Sequence, residues 1–389
     1  MTEETLSSTH PPTPPTTEED RFSWLRLLRS RRVGVSTFYR LLAEHGSAQN
    51  ALAALPELAR QSGIDGYEIC PRQVIDAELK AARAAHARLL FLGSETYPAA
   101  LTEIPEPPPM LWAVGQTDLG QRPGLALVGA RSASSLGVRG ARKLAADLGG
   151  EGYVIVSGLA RGVDAAAHQA ALATGTIGVL AGGVDVVYPD ENRALYQQMC
   201  EHGLILSEQP MGLRPMARHF PKRNRIIAGL ARGVILVEAA AKSGSLITAR
   251  DALDLGREVM AVPGHPIDAR AAGCNMLIRD GATLIRHAKD VIEAIGPQPE
   301  HAMAEVVPAS PEASPHAYPQ AAAKPASDWR RQAGLHQEIL TRLGPAPLAQ
   351  DQLIRDLPHP VGRVGAALTD LELDGRVTRD ATGLLRRSK

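Results

Sequence analysis

Three glycine-and-hydroxyl segments and one basic run hold the residues of this chain whose types and spacing suit chemistry. GARSASSLG (129–137) sets Arg131 and Ser134 after an apolar run, and SGLARGVDAAAH (157–168) sets Ser157, Gly158 and Arg161 after the next one. EAAAKSGSLITAR (238–250) places Lys242 before a turn that ends in Ser245. Glycine lets a backbone approach a phosphate closely, and the free amides at a helix start, helped by one cation, hold its charge. All three are candidate phosphate loops. None reads GxGxxG, which argues against a dinucleotide, and no GxxxxGK[ST] occurs, which excludes P-loop ATPase chemistry. No cofactor is expected.

The basic run is PMGLRPMARHFPKRNRIIAGLARGV (210–234), with Arg214, Arg218, Lys222, Arg223, Arg225 and Arg232 and no acid. Cations at this density neutralise backbone phosphates. A solvated helix face would carry the same charges. The interleaved Phe220, Pro221 and Asn224 suit instead a groove that tracks a nucleic-acid backbone and leaves a polar side chain for a base. Other candidates read as structure. Asp164 and His168 stand four apart on one helix face, a metal-binding spacing, but no third ligand is near and a first-turn carboxylate complements the helix dipole. Glu208 and Glu238 both end apolar runs and could pair for acid–base work, yet neither has a nucleophile or metal beside it. Ser157 and Ser245 lack a histidine partner in sequence. His219, beside Phe220, reads as groove lining.

The elements that carry these residues follow from periodicity. Near-continuous apolar runs at 125–130, 153–158, 176–181, 204–208, 233–239, 258–264 and 283–287 alternate with helical segments such as 137–149, 163–174 and 245–256. That alternation indicates a doubly wound, Rossmann-like parallel sheet over 86–296, with ligands at the carboxyl ends of its strands. Residues 87–115 add a strand and a proline-rich approach. Apolar residues at helical spacing between Arg21 and Ala85, punctuated by Gly46 and Pro56, predict a small helical module. Within it, RVGVSTFYRLL (32–42) has the look of a helix-hairpin-helix turn, with Ser36 where the second glycine would stand. An architectural role accounts for it. Residues 1–20 are Thr/Pro/Glu-rich and predict a disordered tail, and residues 297–327, with seven prolines, predict an extended linker. Beyond it, helices over 330–343, 347–357 and 361–374 and strands in VTRD and LLRR predict a winged helix.

Composition narrows the function. Lys plus Arg number 42 and Asp plus Glu 42, so a globally basic polyanion binder is excluded and any nucleic-acid site is local. At 4% aromatic residues, serial base stacking cannot be the main grip; phosphate contacts and one inserted base must be. Cys70, Cys200 and Cys274 are odd in number and lack a CxxC, which excludes a disulfide framework and a cysteine zinc cluster. With no secretory signal and no membrane-length apolar run, a cytoplasmic protein is expected.

HFPKRNRIIAGL (219–230), taken with GARSASSLG, SGLARGVDAAAH, SGSLITARDALDLGR, VPG and GCNMLI (273–278) in this order, resembles the DNA-processing protein A family. The resemblance is strong over 88–296 and extends to the helical module and winged helix. It implies a non-enzymatic, cytoplasmic homodimer that binds incoming single-stranded DNA in natural transformation, protects it and helps load the recombinase RecA. It places the DNA site at Arg131, Ser157, Gly158, Lys222, Arg223, Asn224 and Arg225. Two rivals stand beside it. One is a nucleoside-monophosphate-cleaving enzyme, whose PGGxGT loop has only AGGVDVVYP (181–189) as a counterpart. The other is a nucleotide sensor whose C-terminal piece binds duplex DNA, although 328–389 holds ten basic residues against eight acidic, a thin excess for such a reader.

Overall fold

The buried apolar runs of the sequence assemble into a nine-stranded sheet. A computed structural model describes residues 14–296 and, between 339 and 387, a scattered set of positions. Its strands are β1 (Arg88–Phe91), β2 (Met110–Gly115), β3 (Gly124–Gly129), β4 (Val154–Ser157), β5 (Thr176–Val179), β6 (Leu204–Ser207), β7 (Ala231–Val237), β8 (Glu258–Ala261) and β9 (Thr283–Leu284). They lie in the order β1-β2-β6-β5-β4-β3-β7-β8-β9. From β6 to β9 all pairs are parallel, and β1 and β2 close the β6 edge antiparallel. The approach segment therefore supplies two strands where one was expected. Strand order reverses between β3 and β7, the point where a doubly wound sheet opens a crevice at its carboxyl edge.

Helices cover both faces, which is why the central strands are apolar without alternation. The helices are α1 (Glu18–Arg29), α2 (Val35–His45), α3 (Ala48–Gln61), α4 (Arg72–Ala84), α5 (Ser135–Gly150), α6 (Val163–Ala171), α7 (Arg193–His202), α8 (His219–Leu230), α9 (Ser245–Asp254), α10 (Ala272–Arg279) and α11 (Ala288–Ile295). One core joins Leu125, Leu127, Leu144 and Ile155 to Val291 of α11. A second, on the opposite face, joins Val128, Val156 and Leu236 to Ile226, Leu246 and Cys274 of α8, α9 and α10. The helical module shares the sheet. Met110, Trp112 and Val114 of β2 point into a third core with Trp24, Phe38 and Leu52, while Leu111 and Ala113 between them point into the α8 core.

Two expectations need correction here. The chain is ordered before Arg21: Pro15 is buried, and Thr17 caps α1 in a capping box with Asp20, so the expected tail ends at least seven residues early. Residues 1–13 and the expected linker 297–327 lie outside the described residues. Pro56 does not break a helix but sits inside α3. The hairpin-like turn faces the sheet domain, with Ser36 donating to Glu106 at 2.6 Å and Tyr39 to the Pro107 carbonyl at 2.7 Å.

The residues from 304 onward form a separate unit. There β12 (Leu384–Arg387) pairs antiparallel with β11 (Val377–Arg379) and with β10 (Leu348–Ala349). The last lies where a helix was expected from 347. Ile339, Leu353, Val364, Leu371 and Leu385 form its core.

A buried ion pair fastens the helical module. Arg29 binds Glu78 through two nitrogens, and the Trp112 indole donates to the same carboxylate at 2.9 Å. Removing one partner strands a buried cation and an indole N–H, at a cost of about 3–5 kcal/mol. Glu78→Ala should lower the urea unfolding free energy by about that amount, and a midpoint equal to the parent's would show that the pair is not what fastens the module.

Candidate nucleic-acid interface

Two contiguous clefts open at the carboxyl edge. The larger, about 540 Å³, lies at the strand-order reversal and is lined by Arg131 and Ser132 after β3, by Lys242, Ser243 and Ser245 after β7, and by Asn224 and Arg270. The smaller, about 240 Å³, is lined by Gly158 and Arg161 after β4, by Leu180, Gly182 and Tyr188 after β5, and by Pro215. Arg131, Phe220 and Arg223 belong to both. The Phe220 ring stands 5.1 Å from the Arg131 guanidinium carbon and 6.1 Å from the Tyr188 ring. Open cationic space thus leads over an arginine-capped phenyl ring into an aromatic chamber.

The floor between them is built by α6 and α8. Asp164 accepts the Gly158 and Ala160 amides at 3.0 and 3.3 Å, and the His168 Nε2 accepts the Leu159 amide at 3.3 Å. Arg223 donates through Nη1 to the carbonyls of Gly158 and Val179, both at 2.7 Å, and through Nε to Asn224 at 3.1 Å. Burial lowers the Arg223 pKa to about 10, so it stays charged at neutral pH. The carbonyl of Ile155 accepts from the Thr176 hydroxyl, which in turn accepts from the His168 Nδ1–H, so the ring is held as a neutral tautomer.

The sequence-derived site residues divide sharply on this frame. Arg131, Gly158, Arg161, Arg223, Asn224, Lys242 and Ser245 line the clefts. Arg161 is held by Glu191 at 2.8 Å. Ser245 shares a 2.7 Å hydrogen bond with Ser243. Lys222 is exposed on α8 outside both linings. Ser157 is fully buried, its hydroxyl donating to the Leu127 carbonyl at 2.6 Å, because a serine ending a central strand lies under the loop rather than on it. Ser134 caps α5 and binds Glu238 through both its amide and its hydroxyl. Arg225 points to the other side of α8, paired with Glu208 at 2.9 Å and donating to the Glu106 carbonyl. His219 is not groove lining; it is buried and accepts the Met216 amide. Glu208 and Glu238 end strands four positions apart, about 19 Å at the usual spacing, so they form no carboxylate pair. Among the described residues, no group of His, Cys, Asp and Glu could hold a metal ion.

The family model described as DNA recombination-mediator protein A matches residues 88–296, the whole of the sheet domain. The chain belongs to that family. Further family models match 18–81, as a DprA-like N-terminal HHH domain, and 318–383, as a DprA winged helix domain. Protein Smf of Synechocystis is 37% identical over 73% of this chain and 76% of its own length. The DNA processing protein DprA of Streptococcus pneumoniae is 46% identical over 51% of this chain and 71% of its own. The X-ray structure of the latter covers 68% of this chain and 98% of that one at 35% identity, with a TM-score of 0.52. Membership gives the chain a DNA-processing role and gives the two clefts their context. Two cleft residues escaped the sequence reading. Tyr188 lies in AGGVDVVYP, read there only as a failed catalytic loop, and Arg270 stands alone in a loop without a recognisable pattern.

The buried histidine sets a pH dependence. Burial, with Arg223 adding to it, lowers the His168 pKa from 6.5 to about 3. The unfolded chain therefore takes up a proton first, and stability is lost as pH falls from 6.5 toward 3, by about 1.4 kcal/mol per unit. Ring NMR signals of His168 should stay flat between pH 8 and 5 while the urea midpoint falls over the lower part of that range. A ring that titrates near 6.5 would break the assignment.

Proposed function

We propose that this chain is a single-stranded DNA-binding protein of natural transformation, which protects incoming DNA and helps load the recombinase RecA onto it. The observation that carries the reading is the shared wall of the two clefts, where Arg131 sits over Phe220. A strand whose phosphates lie in the open cationic cleft can turn one base over that wall into the aromatic chamber, stacking it against Phe220 and Tyr188. Duplex DNA offers no unstacked base to this geometry.

Charge distribution supports the same grip. Arg131, Arg214, Arg218, Lys222 and Lys242 form no ion pair among the described residues, in contrast to Arg161, Arg225 and Arg270. Phosphate contacts made by such unpaired cations are salt-sensitive and sequence-blind. A strand held this way and by one base is released stepwise, which suits transfer to a recombinase. A homodimer through the sheet domain is part of the proposal, and the open β9 edge, with Leu284 44% exposed, offers a surface for it. We read the protein as a binder and not an enzyme, because Ser157, Glu208 and Glu238 are each committed to a structural partner.

Fluorescence anisotropy with an oligo-dT strand tests the proposal. Log affinity should fall linearly with log salt, by about 0.7 per phosphate contact. Arg131→Ala should weaken binding about ten- to a hundredfold and lower that slope by about one contact. Phe220→Ala should weaken binding about five- to a hundredfold without changing the slope. Arg225→Ala should leave the slope alone and lower the melting temperature. Parent-like binding by both cleft variants at matched salt, or release of adenine from AMP by the parent, would overturn the reading.

The winged helix is proposed to be tethered through 297–327 and to lie outside this grip. Proteolysis within 297–327 should leave a core that binds single strands as the full chain does. A core that binds far more weakly would place the winged helix in the site.

A further inference from the structure

In a doubly wound sheet, a ligand phosphate sits on helix N-terminal amides at the strand-order reversal. Here both loops beside β3 and β4 are already filled by carboxylates of the chain itself. At the start of α5, the Ser134 amide donates to Glu238 Oε2 at 2.7 Å and its hydroxyl to Oε1. Gly137 gives that carboxylate room, since a Cβ there would lie 2.6 Å from it. Glu238 takes up a left-handed backbone, with φ 55°, to reach this position. At the start of α6, Asp164 holds the Gly158 and Ala160 amides, with the buried Arg223 guanidinium beside it. Two unrelated acids, one from the neighbouring strand end and one from the helix itself, thus occupy loop amides just ahead of α5 and α6 that would otherwise be free for an anion.

We infer that Glu238 and Asp164 are built-in anions that close the loops ahead of α5 and α6 to terminal phosphates, so that a nucleoside monophosphate gains nothing from those amides and phosphodiester strands are taken by the cations at the cleft rim. A tethered carboxylate meets its amides at an effective concentration no free nucleotide reaches. A phosphodiester needs no such cradle, because Arg131 and Lys242 approach it from the side. Glu238 is in this sense a specificity-determining residue. The inference goes beyond single-strand binding, and its test contains no DNA, so the two readings fail separately.

The test compares 5′-AMP with adenosine, and sodium phosphate with sodium chloride at equal ionic strength, on the full-length protein. Glu238→Gly vacates the α5 loop and suits its left-handed backbone; Glu238→Gln keeps the loop filled. Glu238→Gly should bind AMP about ten- to a hundredfold more tightly than adenosine, as expected for a charged contact to amides. The parent and Glu238→Gln should keep only the small, salt-labile preference that the rim cations give. Where Glu238→Gly melts early, phosphate should restore the lost melting temperature and chloride should not. The inference is overturned if the parent already prefers AMP to adenosine as strongly as Glu238→Gly does. It is equally overturned if Glu238→Gly gains no preference and phosphate restores nothing, which would leave Glu238 as a structural staple.

Discussion

The carboxyl edge of this sheet depends on one buried pair of charges, Asp164 and Arg223, that meet across Gly158. The carboxylate takes the amide of that residue and the guanidinium takes its carbonyl, so the two peptide groups flanking one Cα are each fixed. Any side chain at 158 would collide with the guanidinium, which makes glycine obligatory there. Arg223 reaches onward to the Val179 carbonyl, tying the ends of β4 and β5 to the start of α8. Phe220 lies one turn earlier on that helix, so the wall between the clefts inherits its position from the pair. Isolated, either charge would be costly at this depth. Together they convert a flexible loop into a rigid floor.

The same economy recurs at Glu238. A Rossmann-like architecture arrives with helix termini that attract anions, and on the proposed reading a protein that holds a long diester has to quiet them. Supplying acids in cis does so without altering the fold, and it leaves recognition to side chains at the rim. The cations then sort by role. Those bonded to carbonyls or acids shape the site, and those at the rim stay available to a ligand. Counting lysines and arginines in the basic run, as composition does, mixes the two kinds.

That mixing explains what the sequence could convey. The parallel sheet was legible because β3 to β8 are apolar on both faces, a pattern that helices on two sides require. The three loops were legible because glycine and hydroxyl residues mark strand-to-helix turns. What the loops hold was not, since Ser134 and Ser157 look identical in sequence to phosphate ligands, and their partners lie 104 and 30 residues away. Arg225 misled for a related reason. It stands two residues from Arg223 on α8, which turns it to the opposite side of the helix toward Glu208. Helical phase within a dense charge run decides function, and the run itself hides the phase. The β1–β2 pair was half seen because prolines between the strands obscured the hairpin.

The third core carries a consequence for how the chain is made. The helical module is synthesised before the sheet, yet part of its core comes from Trp112, Met199 and Ile205. At roughly 5–20 residues per second, those residues follow the module by about one to about 25 seconds. Until β2 and β6 exist, the core that holds Trp24, Phe38 and Leu52 lacks its sheet-side partners. An early portion of the chain thus waits for partners that lie far downstream. Interrupted translation anywhere between the module and β6 would release a fragment with an open apolar face.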